Sequence, residues 1–316
     1  MPPSSTKILR PCCRATSRDA AIPTHPARKL HLRRAWRAGL PGSGSKCSKK
    51  RDLTLARETF PARLLKKVCL SESAQCYHFE FELTDRESFP YTAGQFLSAV
   101  AVDGNGKTQT RAYSIASAPS ANRFDLCVNR VEGGFFSNYL ADLPEGAIIQ
   151  IHGPHGHFVL HQPPVDAIFV ATGTGIAPMR AFTQQLFPET GEDLSAGRPI
   201  WCVYGTRHES ELYYRDYFER IAAQHPNFHY ISTLSRAPQA WTGNRGYVQQ
   251  YVGKIVEARE ARLGKMQPVP EGTDPKTLAF DIYTYICGLN NMVSEVRDLL
   301  TEHGWHKKQV VFERYD

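Results

Sequence analysis

The hydrophobic period of this chain changes once, near Pro163-Pro164, and that change constrains the fold more than any other feature. Before it, apolar residues come in short, closely spaced runs at 64–68, 77–83, 95–100, 124–128 and 148–152. The run at 77–83 alternates with a period of two, the signature of a strand with one buried face. Turn formers separate the runs: Ala93-Gly94, Asp103-Gly104-Asn105-Gly106 and Glu145-Gly146. Only Phe135–Asp142 in this half has helical spacing. Closely spaced short strands predict an antiparallel β-barrel.

After Pro164 the text alternates. Strand-like runs at 167–170, 200–204, 228–234, 282–286 and 309–312 are separated by helical segments. These are expected from Pro178 onward, near 212–223, at 247–259 and at 291–302. Strands alternating with helices predict a parallel, doubly wound sheet. The chain is therefore expected to be a two-domain α+β protein, with a barrel over 53–162 and an α/β domain over 163–316. Residues 265–276, with three prolines and a glycine, read as a surface insertion.

Charge is distributed unevenly. The net charge is +7, but residues 1–52 hold 13 Lys/Arg against Asp19 and Asp52, a charge of +11. The remaining residues hold 25 Lys/Arg against 29 Asp/Glu, a charge of −4. The basic character belongs to the first segment, so no nucleic-acid partner is expected for the core. That segment has no sustained apolar period and reads as a disordered tail. A misassigned start, an organelle transit peptide and a nucleic-acid or membrane arm stay open beside it. No apolar run approaches the ~18 residues of a membrane span, so no membrane insertion is expected. The location expected is cytoplasmic, with organelle targeting as the alternative. The eight cysteines form neither C-x-x-C nor the C-x4-C-x2-C of a plant-type iron–sulfur cluster, so no metal site is expected.

Chemistry concentrates in a few places. Arg111-x-Tyr113-Ser114 offers a planar phosphate-binding cation, a flat ring and a hydroxyl donor, which is what a flavin requires. Ideal strand alternation puts Arg111 and Tyr113 on one face and Ser114 on the other, so a strand end or bend must bring them together. Val128 and Arg130 precede Gly133-Gly134-Phe135-Phe136-Ser137, where Gly134 and Ser137 open a helix that can receive an anion. Gly173-Thr174-Gly175-Ile176-Ala177-Pro178 joins a buried strand to a helix, a place for a pyrophosphate. Pro178 stands where a dehydrogenase fingerprint has its third glycine. Cys287-Gly288 ends a strand, where ligands of such sheets bind. Ser235-Arg236, with Arg245, Tyr247 and Gln249, supplies cations and hydroxyls for a ribose 2′-phosphate or forms an ordinary polar loop. Glu313 and Tyr315 lie at the C-terminus, before Asp316.

In their order, Arg-x-Tyr-Ser, Gly-Thr-Gly-Ile-Ala-Pro, Cys-Gly and a terminal Glu-x-Tyr resemble the ferredoxin–NADP(+) reductase family over about residues 53–316. The resemblance implies FAD and NADP as cofactors. Arg111, Tyr113 and Ser114 would bind the flavin, and Arg130 with the helix start would bind its pyrophosphate. Cys287 would stand beside the nicotinamide, Ser235-Arg236 and Tyr247-x-Gln249 would read NADP(+), and Tyr315 would cover the flavin. Glu313 would tune flavin protonation or be a solvated strand-end charge. The expected activity exchanges hydride between NADP(H) and flavin, and single electrons with a separate ferredoxin or flavodoxin. An NADH-dependent reductase component of an oxygenase is the rival. A non-enzymatic flavin- or nucleic-acid-binding protein is a rival of another class.

Overall fold

The computed structural model describes residues 58–315 apart from Pro268, Glu271, Pro275 and Lys276. The readings of residues 1–52 and of Asp316 lie outside the described residues, as does part of the 265–276 insertion.

Six strands form the first sheet: β1 (Phe60–Ser71), β2 (Cys76–Leu83), β3 (Phe96–Val102), β4 (Thr108–Ser114), β5 (Arg123–Asn129) and β6 (Ile148–His155). Their order is β4-β3-β6-β1-β2-β5, with all pairs antiparallel. A bridge between Ile115 and Leu126 joins the end of β4 to β5 and closes the sheet into a barrel. The alternation of β2 turns Phe79 and Phe81 inward, where Phe81 stacks on Phe124 with ring centroids 5.3 Å apart. Burying each such ring contributes ~1.5–3 kcal/mol. The one helix expected here, α1 (Phe135–Asp142), crosses the barrel end between β5 and β6.

The second sheet is parallel. Its strands are β7 (Asp166–Thr172), β8 (Ile200–Thr206), β9 (Phe228–Leu234), β10 (Asn244–Arg245), β11 (Ile282–Leu289) and β12 (Val310–Tyr315). The order is β10-β9-β8-β7-β11-β12. Helices α2 (Ile176–Leu186) and α3 (Arg215–Gln224) bury Phe182, Leu186 and Phe218 on one face. Helices α4 (Val248–Leu263) and α5 (Asn290–Glu302) bury Val252, Val256 and Val296 on the other. Central strands covered on both faces explain the continuous apolar runs of β7 and β11. The two-residue β10 was not legible, since a pair of residues has no period. The helix expected from Pro178 starts two residues earlier. A proline in the first helical turn loses nothing, because its missing N–H would be unpaired there.

Strand order reverses between β7 and β11, which leave the sheet centre in opposite directions. Crevices at such reversals, beyond the carboxyl ends of the strands, are where open α/β sheets bind ligands. The core packed on α2 is continuous with barrel residues Cys76, Cys127 and Phe158, so the barrel is seated on that face of the sheet. Among the described residues no helix is long and apolar enough to cross a membrane.

Candidate active site

A cleft of about 880 Å³ opens between the barrel and the end of the parallel sheet. Its walls include Arg111, Tyr113 and Ser114 from β4, Val128 from β5, Gly134 and Ser137 from α1, Thr174 from the loop after β7, and Glu313 and Tyr315 from β12. The facing problem at β4 resolves at the strand end. Ser114 is its last residue, and all three motif residues line the same cleft. Burial raises the Tyr113 phenol to about 12, against the pull of the Arg111 charge, so the ring is uncharged at neutral pH.

The cleft fits an elongated dinucleotide with a charged middle. Among the described residues no side chain caps α1, and its first turn carries no acid. Its opening amides and positive dipole end are therefore suited to a pyrophosphate. A Cβ built on Gly134 would stand 2.8 Å from Ser137 Oγ and 3.2 Å from Val131 O, so only glycine leaves this cradle open. Ser137 Oγ accepts from Val131 N at 3.0 Å and shapes the turn.

The four side chains singled out for catalysis are brought together. Ser114 Oγ donates to Glu313 Oε2 at 3.3 Å. The Tyr315 side chain lies beside both Ser114 and Cys287. Register explains this: Cys287 of β11 lies beside Ala171 of β7 on one side and Glu313 of β12 on the other. Burial pushes the Glu313 carboxyl up to about 7, opposed by the Ser114 hydrogen bond. Burial also pushes the Tyr315 phenol and the Cys287 thiol well above their ordinary ranges. The Cys287 thiol is thus neutral and a poor nucleophile.

The loop after β7 is a short 3-10 turn, Gly173–Gly175, leading directly into α2. Its two glycines have different reasons. Gly173 adopts φ +54° in open space and is selected by backbone conformation. Gly175 has an ordinary φ, but a Cβ there would stand 2.2 Å from the Cys287 carbonyl oxygen. Gly288 shows the same closeness from the other strand, since its Cβ would meet Thr172 Oγ1 at 2.2 Å. The nucleotide loop and the Cys-Gly strand end are therefore in backbone contact at the point where strand order reverses.

Two segments match family descriptions: residues 61–160 the oxidoreductase FAD-binding domain, and residues 169–298 the oxidoreductase NAD-binding domain. Ferredoxin–NADP reductase B of Sorangium cellulosum is 39% identical over 264 residues, spanning 82% of this chain and 98% of that protein. The chain belongs to the ferredoxin–NADP(+) reductase family. It is an oxidoreductase with an FAD-binding and an NAD(P)-binding domain. The chloroplastic leaf isozyme 1 of Oryza sativa subsp. indica is 29% identical over 290 residues, 83% of this chain and 76% of that protein. A structure of ferredoxin–NADP(+) reductase from Plasmodium falciparum with 2′P-AMP shares the fold. Its TM-score is 0.65 at 22% identity, over 81% of this chain and 96% of that one.

Several expected ligand residues of this reductase are committed elsewhere. Arg130 bonds Asn138 Oδ1 at 2.7 Å and Asp142 at 3.0 Å, outside the cleft lining. These bonds brace α1. Arg245 donates to the carbonyl oxygens of Ala237, Pro238, Gln239 and Trp241 at 2.7–3.1 Å. It is a strut for the loop after β9, and a 2′-phosphate would have to compete with four acceptors. Gln249 is tied to Glu295 of α5. Ser235 Oγ donates to Thr206 O at 3.3 Å, and Arg236 and Tyr247 are exposed at the carboxyl end of β9. Pro178 packs inside α2, away from the cleft.

Other residues escaped the sequence reading. Arg207 follows β8, and its carbonyl accepts from Arg236 N at 3.0 Å, so two exposed arginines stand beyond adjacent strand ends. Its position after an apolar strand was the available signal. Phe96 and Arg314 line the cleft. Gly156 admits Phe96, because a Cβ there would come within 3.0 Å of the ring and 3.6 Å of Glu313 Oε1. The segment Gly153-Pro154-x-Gly156-x-Phe158 thus has a structural role beside the site.

Proposed function

We propose that this chain exchanges hydride between NADP(H) and FAD, and single electrons between FAD and a separate ferredoxin or flavodoxin. The observation that carries this reading is the Ser114–Glu313–Tyr315–Cys287 cluster. There a flavin-strand donor bonds a proton-holding carboxyl, and the strand end of the nucleotide domain lies beside them. Residues 53–162 are assigned to flavin and 163–316 to the nucleotide.

FAD, when bound, supplies two-electron exchange with the nicotinamide and one-electron exchange with the protein partner. The residues of the chain bind, orient and move protons. Arg111 neutralises phosphate charge, and Tyr113 offers a flat, uncharged wall. The amides opening α1 and the Gly173–Gly175 turn each receive a pyrophosphate. Ser114 Oγ holds a proton at the cleft wall, and Glu313 exchanges it, since its carboxyl titrates at about 7. Tyr315 closes the approach to Cys287 and turns aside when the nicotinamide enters. Arg236 and Arg207, exposed at neighbouring strand ends, read the 2′-phosphate that distinguishes NADPH from NADH.

The test is direct. Purified protein should release FAD on denaturation and reduce a [2Fe–2S] ferredoxin or a flavodoxin in an NADPH-dependent manner. A protein that binds no flavin, or whose flavin passes electrons to neither acceptor, overturns the reading.

A further inference from the structure

One helix carries both the nucleotide loop and a contact with the flavin barrel. Arg180 is the fifth residue of α2, about 7–8 Å along the helix from Gly175. One of its guanidinium nitrogens donates to Ala116 O at 2.7 Å and to Asp125 Oδ2 at 2.9 Å, both in the barrel. The pair is largely shielded, with side-chain exposures of 14% and 18%. Tyr214 and Tyr217 present their rings to the guanidinium at 5.0 and 5.6 Å. Tyr214 is itself held to barrel His78 at 3.0 Å. One turn further along α2, Gln184 Oε1 accepts from Ala118 N at 2.9 Å.

The sequence distances matter. Ala116 lies two residues after Ser114, and Asp125 lies three before Val128, so both anchor points adjoin cleft walls. Ala116 N also donates to Asp125 O at 2.8 Å, which ties the two anchors together. One hydrogen-bonded route from the nucleotide loop to the flavin strand runs along α2 and through Arg180.

We propose that Arg180 is a positioning residue, whose buried bonds to Ala116 and Asp125 fix the nucleotide loop at the separation from the Ser114 strand that hydride transfer requires. The proposal rests on the function given above. It separates binding from alignment: most of each binding site lies in one domain, and the latch sets the distance between the two. Misplacement by about 1 Å can cost on the order of a hundredfold in rate.

Arg180→Met tests it. The variant should keep one FAD per chain and bind 2′,5′-ADP within about twofold of wild type, while flavin reduction by NADPH slows about tenfold to a hundredfold. The long-wavelength charge-transfer absorbance of the NADP(+) complex of the reduced protein should weaken in parallel. In the protein without nucleotide, amide exchange at Ala118 should quicken. If Arg180→Met yields no folded protein, Arg180→Lys is judged by the same criteria, with a smaller loss. A rate within about twofold of wild type overturns the proposal, as does a slowdown matched by equal losses of FAD and ADP binding. Unchanged exchange at Ala118 also overturns it. A wild-type protein whose flavin NADPH does not reduce would instead sink the assigned function, and the exchange measurement would still judge the latch.

Discussion

In the function proposed, the flavin cleft and the strand ends at Ser235–Arg236 serve the same ligand pair by opposite means. In the cleft, polar groups are shielded and lie together: Ser114 bonds Glu313, and Tyr315 sits beside Ser114 and Cys287. At the strand ends, Arg207, Arg236 and Tyr247 stand exposed, and the remaining cation, Arg245, holds up its own loop. Chemistry on a ring needs fixed dipoles in a shielded place, where each is worth more than in water. Discrimination of a phosphate needs only a charge that reaches it, screened by salt within about 8–10 Å. The cleft should therefore respond to substitution through geometry, and the strand ends through charge.

The largest effect expected is at the backbone contact. In Gly175→Ala the new methyl would stand 2.2 Å from the Cys287 carbonyl oxygen, so loop and strand must separate. Overpacking of this kind costs about 1–3 kcal/mol, and misplacement of the loop should lower NADPH-driven flavin reduction by about a hundredfold. FAD content should hold. Gly173→Ala should cost far less, since only its φ is strained. Equal losses in the two variants, read by stopped flow, would break the geometric account.

Arg236→Ala should lower kcat/KM for NADPH about tenfold to a hundredfold, the loss of one charge-assisted bond of about 1.5–3 kcal/mol. NADH should be almost unaffected, and the NADPH loss should shrink as salt rises. A salt-independent loss with both nucleotides would assign Arg236 to the fold.

Glu313 provides a pH test of the cleft. Its carboxyl is held above its ordinary range, so the proton stays on as pH rises and leaves through about 7. Turnover should fall about tenfold between pH 6 and 8 if the protonated form is the working one. Glu313→Gln, neutral at every pH, should flatten that limb. A limb that persists in the variant excludes Glu313 as its source.

Arg245 should show the smallest change. As a strut, Arg245→Ala should lower NADPH efficiency by under about tenfold and reduce the melting temperature by a few degrees. Lysine should not rescue it, because one ammonium cannot span four carbonyls. Full rescue by lysine would restore the direct phosphate reading.

Much of the molecule was legible because its signals are local. The change of period marked the barrel and the parallel sheet, and Phe135–Asp142 was placed to the residue. The glycine loop and Cys287-Gly288 announced strand ends, where sheet architecture brings ligands. What escaped depended on partners distant in sequence. Nothing near Arg130 signals that Asn138 and Asp142 capture it. Nothing near Arg245 shows that its loop folds back to offer carbonyl oxygens. Arg180 sits in a helix like any surface arginine, and only the seated barrel buries it. The Ser114 facing problem was set by strand alternation, and Ser114 reaches the cleft from the last position of its strand.

The central claim is that this cleft passes hydride between flavin and a nucleotide chosen by its 2′-phosphate. Anaerobic stopped-flow reduction of the bound flavin, with NADPH and NADH in parallel at low salt, tests it most directly. The account predicts that NADPH is favoured by about tenfold to a hundredfold in the apparent second-order rate, and that Arg236→Ala narrows the gap. Flavin reduction at equal rates with both nucleotides, or faster with NADH, would contradict it.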